Sequence, residues 1–369
     1  MSSQLPPMTF VLPGRNRSGG VRVTVDLGNH LLRRGHRVRL AVGRSGGIRA
    51  WGRQIVRRLQ AGPRAKDDWV ENFAGPVAPF RDLNALAFEP GEVVVAVGSY
   101  VVPAVRDLTH DVVRVRFNHG LQRHDPARMN RAWLGEMPTF SVARTSADIL
   151  MREFGVPHVW IVPNGIDTDA YFETSDVVRD GVGTIFSSNP AKCPDDIVRV
   201  MDRIARDLPG VRRYIFSAAE RPPALACDEF RRLPPVDEAR RLYNRAKVWL
   251  LMSRDEGLPG PVLEAMACGA VVVSTDQAGS REVIRPDQNG LFFPVGDIGA
   301  CIEQVRRVLN DEPLRLRLRA AGGETVRAFS WDAATDRFEA ALRDVLRGTT
   351  HHAVSLRGEP AMGTSTGQA

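Results

Sequence analysis

Two glutamates flank a glycine- and proline-rich turn in the second half of the chain. Glu256 and Glu264 are separated by seven residues, and the apolar run 248–252 before them predicts a buried strand. Residues 262–267 predict a helix that has Pro261 and Glu264 in its first turn, where proline and acidic residues are favoured. Both carboxylates are therefore expected near a helix N-terminus that follows a strand.

This arrangement can bind a charged, hydroxyl-rich ligand. The backbone N–H groups of a helix N-terminus bind a diphosphate, and carboxylates accept hydrogen bonds from hydroxyls, each contributing about 1.5–3 kcal/mol. Glu256, in the loop, is expected to face a transferred sugar, and Glu264, in the helix, to bond a ribose hydroxyl. The pair predicts a nucleotide-sugar site. The alternative is an ordinary α/β protein in which a first-turn glutamate balances the helix dipole.

The sequence that follows carries a family resemblance. The two glutamates, AMACG at 265–269 and NGLFFPVGD at 289–297 resemble the signature of retaining GT-B glycosyltransferases of family four. The commonest family form reads E-G-F-G-L-P, and Leu258, Pro259 and Gly260 replace its Phe-Gly-Leu here. The resemblance implies an α/β fold of the GT-B type, in which two Rossmann-like domains face a central cleft.

The beginning of the chain predicts the first Rossmann-like unit. Residues 8–12 predict a strand, 21–34 a helix and 36–42 a second strand. The loop between the first two ends in Gly19 and Gly20, which allow backbone N–H groups to approach a phosphate. It lacks both the P-loop Lys-Ser/Thr and the GxGxxG fingerprint, which disfavours ATP and NAD. The resemblance assigns both glycines to a position beside the donor phosphate and the acceptor.

Two further residues follow predicted strands. The strand at 112–117 leads into His119, and the strand at 183–187 leads into the loop with Lys192. The resemblance implies that His119 contacts a donor or acceptor sugar and that Lys192 neutralises the leaving diphosphate. The alternatives are a histidine packed in a turn and a solvated surface lysine. The family's arginine shortly before Lys192 is missing.

The predicted catalytic residues are Glu256, His119 and Lys192, and the predicted donor-binding residues are Gly19, Gly20, Lys192, Gly257, Leu258, Gly260 and Glu264.

No cofactor and no metal are predicted. The only D-x-D is Asp167-Thr168-Asp169, and it lies in the segment that matches the family's hinge between domains. Cysteines 193, 227, 268 and 301 have no metal-binding or redox spacing and are interpreted as reduced structural thiols.

We expect residues 1–170 to form the acceptor-side domain and 171–330 the nucleotide-sugar domain. Residues 331–347 are expected to form a closing helix that returns to the first domain, and 348–369 a disordered tail.

Charge is distributed unevenly along this chain of 369 residues. Residues 1–160 contain 23 Lys and Arg against 13 Asp and Glu, and the remainder contains 27 against 30. A basic first domain suits an anionic acceptor or a membrane surface, although solvated surface helices give the same composition. Residues 51–59 predict a basic amphipathic helix that contacts an anionic membrane or, more commonly, packs on a core. We expect a cytoplasmic protein, with peripheral contact at the inner face of the membrane as an alternative, and no nucleic-acid partner.

The predicted reaction is metal-independent transfer of a hexose-type sugar from a nucleotide sugar to an acceptor hydroxyl, with retention of configuration. The acceptor is expected to be a sugar, a lipid-linked molecule or a small molecule, in bacterial cell-envelope polysaccharide or antibiotic biosynthesis. Two alternatives stay open. One is a GT-B sugar-nucleotide epimerase, which needs no acceptor. The other is a catalytically silent GT-B partner subunit, which the missing arginine and the altered loop suggest.

Overall fold

The structure is a computed structural model, and it describes residues 4–15, 18–44, 68–120 and 137–348. The predicted amphipathic helix at 51–59 and residues 349–369 of the predicted tail lie outside these ranges. The described chain forms two parallel β-sheets, each covered by helices on both faces, as the near-continuous apolar strands predict.

The first sheet has seven strands in the order β3-β2-β1-β4-β5-β6-β7, all parallel. The strands are β1 Met8–Leu12, β2 Val38–Gly43, β3 Val77–Phe80, β4 Glu92–Val97, β5 Val112–Asn118, β6 Thr139–Ser141 and β7 Val159–Ile161. Its helices are α1 Gly19–Arg33, α2 Val102–Arg106 and α3 Arg144–Phe154. Because the strands are parallel, the loops that follow them meet along one edge of the sheet.

The second sheet has six parallel strands in the order β10-β9-β8-β11-β12-β13. They are β8 Gly181–Phe186, β9 Arg212–Ser217, β10 Glu229–Arg232, β11 Ala246–Leu251, β12 Val271–Thr275 and β13 Gly290–Phe293. The helices are α4 Pro194–Asp207, α5 Val236–Arg245, α6 Gly260–Ala267, α7 Ile298–Asn310 and α8 Glu312–Arg327. The predicted boundary near residue 170 lies between the last strand of the first sheet and the first strand of the second.

The predicted strands and helices that fall on the described residues are present, but two helices begin earlier than predicted. Helix α1 begins at Gly19 and α6 at Gly260, each two residues before the predicted start. The cause is that proline, with its fixed φ and missing N–H, fits the first turn of α6, while Ser18 caps α1. The prediction that Gly19 and Gly20 end a loop is therefore wrong, because both lie in the first turn of α1.

The last helix, α9 Trp331–Leu346, follows the second domain in sequence but packs against the first. The ring of Phe338 is fully buried, with its centroid 5.7 Å from that of Phe10 and 5.3 Å from that of Phe140. The start of the helix packs tightly on the segment that follows β7, since a Cβ at Gly165 would lie 2.4 Å from the Trp331 ring. The chain thus crosses between the domains twice.

The four cysteines are free thiols, of which Cys193, Cys268 and Cys301 are buried. Burial raises the pKa of Cys268 to about 12, so it remains protonated near neutral pH. Of the helices in the described segments, none has the length and apolar character needed to cross a bilayer.

The buried ring of Phe338 provides a test of how α9 is attached. Phe338→Ala removes aromatic contacts to three phenylalanines of the first domain, and we expect it to lower the free energy of unfolding by about 3–5 kcal/mol. Leu346→Ala, at a residue 38% exposed near the end of the same helix, is the control and should change it by under about 1 kcal/mol. Urea denaturation measures both. Equal effects of the two variants would contradict the packing of α9 on the first domain.

Candidate active site

A cleft of about 1600 Å³ lies between the two domains. Loops that follow strands β1 to β5 line it on one side, and loops that follow β8 to β11 line it on the other. This is where parallel sheets collect ligands, because the carboxyl ends of the strands converge there. All nine predicted site residues line this cleft, namely Gly19, Gly20, His119, Lys192, Glu256, Gly257, Leu258, Gly260 and Glu264.

Lys192 and Glu256 contact each other directly. The Lys192 ammonium donates a hydrogen bond to Glu256 Oε1, and Ser253 Oγ donates to the same oxygen at 2.6 Å. The loops that carry the pair are joined by their backbones, since Arg254 N donates to the Ala191 carbonyl at 2.8 Å. The side chains of Lys192 and Glu256 are 36% and 12% exposed. The wall formed by the second domain therefore presents a cation and a largely buried acid side by side.

Glu264 connects the two domains through a buried ion pair. Its Oε1 accepts a 2.6 Å hydrogen bond from Arg22 of α1, and its Oε2 accepts one of 2.7 Å from the Tyr243 hydroxyl. Burial opposes the charge on Arg22, but attraction by Glu264, Tyr171 and Asp26 together raises the pKa of Arg22 well above its usual value. The ion pair thereby holds α1 against α6. The prediction that Glu264 lies in the first turn of its helix is wrong, because α6 begins at Gly260 and Glu264 is its fifth residue.

Sequence reasoning missed Arg22 and Asp26. Both follow Gly20 on α1, and their side chains form an i,i+4 pair with an N–O distance of 3.7 Å. Burial raises the pKa of Asp26 to about 6, with Arg22 opposing the shift. Their spacing of four residues indicates an ion pair on one face of a helix. The second partner of Arg22, Glu264, lies 242 residues away in the sequence, and spacing alone could not connect these two residues.

His119 lies where the two domains come closest. Its ring packs on Phe117 with a centroid distance of 4.2 Å, and neither ring nitrogen has a hydrogen-bond partner within the described residues. Burial lowers the pKa of His119 to about 4, so the imidazole is neutral at pH 7. A Cβ at Gly257 would lie 2.2 Å from the His119 carbonyl oxygen. Only glycine allows this approach of the two loops.

The other predicted glycines differ in what surrounds them. A Cβ at Gly20 would meet the His119 ring at an ordinary 3.6 Å, and one at Gly19 or Gly260 would meet nothing within 4 Å. The carbonyl of Leu258 accepts a 3.4 Å hydrogen bond from Asn164 Nδ2 of the interdomain segment. Packing thus requires glycine at 257, whereas at 19 and 260 it leaves open space beside a helix N-terminus.

The D-x-D at 167–169 stabilises a turn. Asp167 Oδ1 accepts hydrogen bonds from the backbone N–H groups of Asp169 and Ala170, each at 3.0 Å. Over the ranges that the structure describes, no three His, Cys, Asp or Glu side chains are grouped so that they could hold a metal ion.

Two family models match the chain, one on each domain. The model described as Glycosyltransferase Family 4 matches residues 17–170, and the model described as Glycosyl transferases group 1 matches residues 181–311. Among curated proteins, the chain is 28% identical over 289 residues to D-inositol 3-phosphate glycosyltransferase of Xylanimonas cellulosilytica, covering 68% of this chain and 67% of that protein. It is 34% identical over 103 residues to a lipopolysaccharide core biosynthesis glycosyltransferase of Rhizobium meliloti, covering 28% of this chain and 30% of that protein.

Solved structures show the same fold. Sucrose-phosphate synthase from Thermosynechococcus elongatus superposes with a TM-score of 0.73 at 14% identity, covering 93% of this chain and all of that one. Anabaena HepE in complex with UDP superposes with a TM-score of 0.69 at 13% identity, covering 92% of this chain and 100% of that one. The predicted fold class is confirmed. With one family model on each domain and this shared architecture, the chain belongs to the GT-B glycosyltransferases of the group 1, family 4 type.

Proposed function

We propose that this protein transfers a hexose-type sugar from a nucleotide-diphosphate donor to an acceptor hydroxyl, with retention of configuration and without a metal ion. The observation that carries the proposal is the contact between Lys192 and Glu256 on the wall of the cleft. The Lys192 cation can stabilise a departing diphosphate, and the Glu256 carboxylate beside it can accept hydrogen bonds from sugar hydroxyls. Anabaena HepE, which shares the fold, was solved with UDP-glucose, and this supports a donor of the same chemical class.

The donor is expected to bind between the first turns of α1 and α6. Its diphosphate would meet the N-terminus of α1 at Gly19 and Gly20 and the ammonium of Lys192. The ribose would bond Glu264. Both oxygens of Glu264 already accept a hydrogen bond, but each has a second lone pair. A ribose hydroxyl can therefore bind there without displacing Arg22 or Tyr243.

The proposed transfer occurs on one face of the sugar. The bond between the anomeric carbon and the phosphate oxygen breaks, and its electron pair stays on that oxygen. The acceptor hydroxyl oxygen bonds to the same face of the anomeric carbon, and its proton passes to the departing phosphate. Lys192 stabilises the charge that develops on the diphosphate. Electrostatic stabilisation of this kind is usually the largest single contribution to catalysis. Glu256 positions the sugar and, through its hydrogen bond, the Lys192 ammonium.

The setting of the reaction is part of the proposal. The curated relatives include a lipopolysaccharide core biosynthesis glycosyltransferase and a phosphatidyl-myo-inositol mannosyltransferase of Mycobacterium leprae. These names favour bacterial cell-envelope glycan biosynthesis in the cytoplasm, with antibiotic biosynthesis as the alternative. Apart from its nucleotide-sugar substrate, the proposed reaction needs no cofactor.

Variants that remove the charge of Lys192 or of Glu256 test this function. A thermal-shift screen against UDP-, GDP- and dTDP-sugars first identifies the donor, and release of nucleotide diphosphate is then measured. We expect Glu256→Gln and Lys192→Gln each to lower kcat by about 10²–10³-fold, since each removes a fixed charge from the transition state. Glu303→Gln, at an exposed position of α7, is the matched control.

Other outcomes of this assay favour the alternatives. Epimerisation of the donor without an acceptor identifies a sugar-nucleotide epimerase. Donor binding without turnover in the unmodified protein identifies a silent partner subunit. Retention is tested separately, by anomer-resolved NMR of the product, and an inverted product would contradict the same-face transfer.

The lowered pKa of His119 predicts a pH dependence of stability. The unfolded chain binds a proton at this residue as the pH falls below about 6.5, whereas the folded protein binds it only near pH 4. Its contribution to stability is therefore complete above about pH 6.5 and is lost as the pH falls toward 4, by up to about 1.4 kcal/mol for each pH unit. We expect His119→Gln to lose less stability than the unmodified protein between pH 7 and pH 5 in urea denaturation. Equal losses in the two proteins would contradict the prediction, because they would show that the pKa of His119 is not lowered by folding.

A further inference from the structure

Three arginines follow three neighbouring strands of the first sheet. Arg15 comes after β1, Arg44 directly after β2 and Arg81 directly after β3, and the three strands are adjacent in the order β3-β2-β1. All three residues line the cleft. We call Arg15, Arg44 and Arg81 the arginine cluster.

Two members of the cluster are held side by side. Gly43 of β2 is paired with Phe80 of β3, and Arg44 N donates a 2.8 Å hydrogen bond to the Phe80 carbonyl. Arg44 and Arg81 are each the next residue along, so their backbones are roughly 5 Å apart, the spacing of adjacent strands. Like charges at such positions repel each other. The fold therefore places two cations where a bound anion would relieve their repulsion.

The charge of the arginine cluster is only partly compensated. Arg15 pairs with the buried Asp68 at 3.4 Å, whereas within the ranges that the structure describes neither Arg44 nor Arg81 has a carboxylate within ion-pair distance. Arg44 and Arg81 are both exposed. Asp82, the neighbour of Arg81, instead accepts a 3.0 Å hydrogen bond from Asn84 N. Three guanidinium groups against one carboxylate leave two uncompensated positive charges in the cluster.

Arg44 and Arg81 lie apart from the residues proposed to bind the donor, whereas Arg15 is on the loop that leads from β1 to Gly19. His119 follows β5, and β3 is four strand positions from β5 in the sheet order. At the usual strand spacing this separates the starting points of Arg81 and His119, whose ring lies beside Gly20, by roughly 19 Å. A diphosphate beside Gly20 and Lys192 therefore leaves Arg44 and Arg81 available to a second anion in the same cleft.

We propose that the arginine cluster binds a phosphate group carried by the acceptor, so that the acceptor is a phosphorylated hydroxyl compound. The inference rests on the proposed function and adds to it the chemical class of the acceptor. A phosphate monoester carries about −1.5 to −2 charges at pH 7, which matches the two uncompensated charges. The guanidinium group of arginine also fits phosphate oxygens in bidentate hydrogen bonds.

Binding to the full-length protein tests this assignment. UDP is first added to saturation so that it occupies the diphosphate site, and titration calorimetry then compares glucose 6-phosphate with glucose. We expect glucose 6-phosphate to bind, inorganic phosphate to compete with it, and glucose to bind at least about ten-fold more weakly, since each charged hydrogen bond contributes about this much. A parallel arm compares sedimentation with vesicles of phosphatidic acid and of phosphatidylcholine, which distinguishes a lipid phosphate from a soluble one.

Matched charge variants locate the site. We expect Arg44→Gln and Arg81→Gln each to weaken binding of the phosphorylated probe about ten-fold, and the double variant about a hundred-fold. Arg37→Gln is the control, because Arg37 is exposed just before the start of β2, at the opposite end of the strand that Arg44 follows. It removes the same charge and should leave binding within two-fold.

The outcomes separate this inference from the proposed function. Failure of UDP to bind counts against the proposed function alone, because phosphate binding and its loss in the double variant can then be measured without UDP. Unchanged binding of glucose 6-phosphate and phosphatidic acid in the double variant overturns the inference while UDP still binds. Equal binding of glucose and glucose 6-phosphate, together with equal sedimentation by both kinds of vesicle, also overturns it.

Discussion

The ion pair between Arg22 and Glu264 is the interaction on which the arrangement of the cleft depends. It joins two helices from different domains near their N-terminal ends, and its acid is almost fully buried. A buried carboxylate requires charged or hydrogen-bonding partners, and Glu264 has both, in Arg22 and Tyr243. Because the ion pair holds these two helices together, the helix N-termini beside Gly20 and Gly260 line the same cleft. A diphosphate between them would be within the positive field of both.

Three pairs of opposite charges line the cleft. Lys192 contacts Glu256, Arg22 contacts Glu264, and Arg15 contacts Asp68. In each pair the acid is more buried than the cation, so the base keeps part of its hydrogen-bonding capacity for a ligand. Arg44 and Arg81 depart from this pattern, and they do so at the edge farthest from the donor residues. The cleft thus contains paired charges beside an electropositive edge formed by Arg44 and Arg81.

Close packing and ligand contact are combined at the point where the domains touch. Gly257 approaches the carbonyl of His119 so closely that no side chain fits there, and the His119 ring lies against Phe117. Burial keeps the imidazole neutral, so near neutral pH it can only donate or accept a hydrogen bond without carrying charge. A neutral group suits sugar hydroxyls better than phosphates, which agrees with the roles that the family resemblance implies for His119 and Lys192.

The sequence by itself determined the kind of elements and nine of the residues that line the cleft. Apolar runs, glycine-proline turns and the position of Glu256 are features of a few neighbouring residues. Such local features predict local structure from the sequence alone. It could not reveal that Arg22 is the partner of Glu264, nor that Arg44 and Arg81 stand side by side, nor that Asp26 is buried. Those facts depend on strand order and on packing between domains. Only the tertiary structure decides them, because ion pairs and desolvation are set by distances in space, and residues far apart in the chain acquire those distances only when it folds.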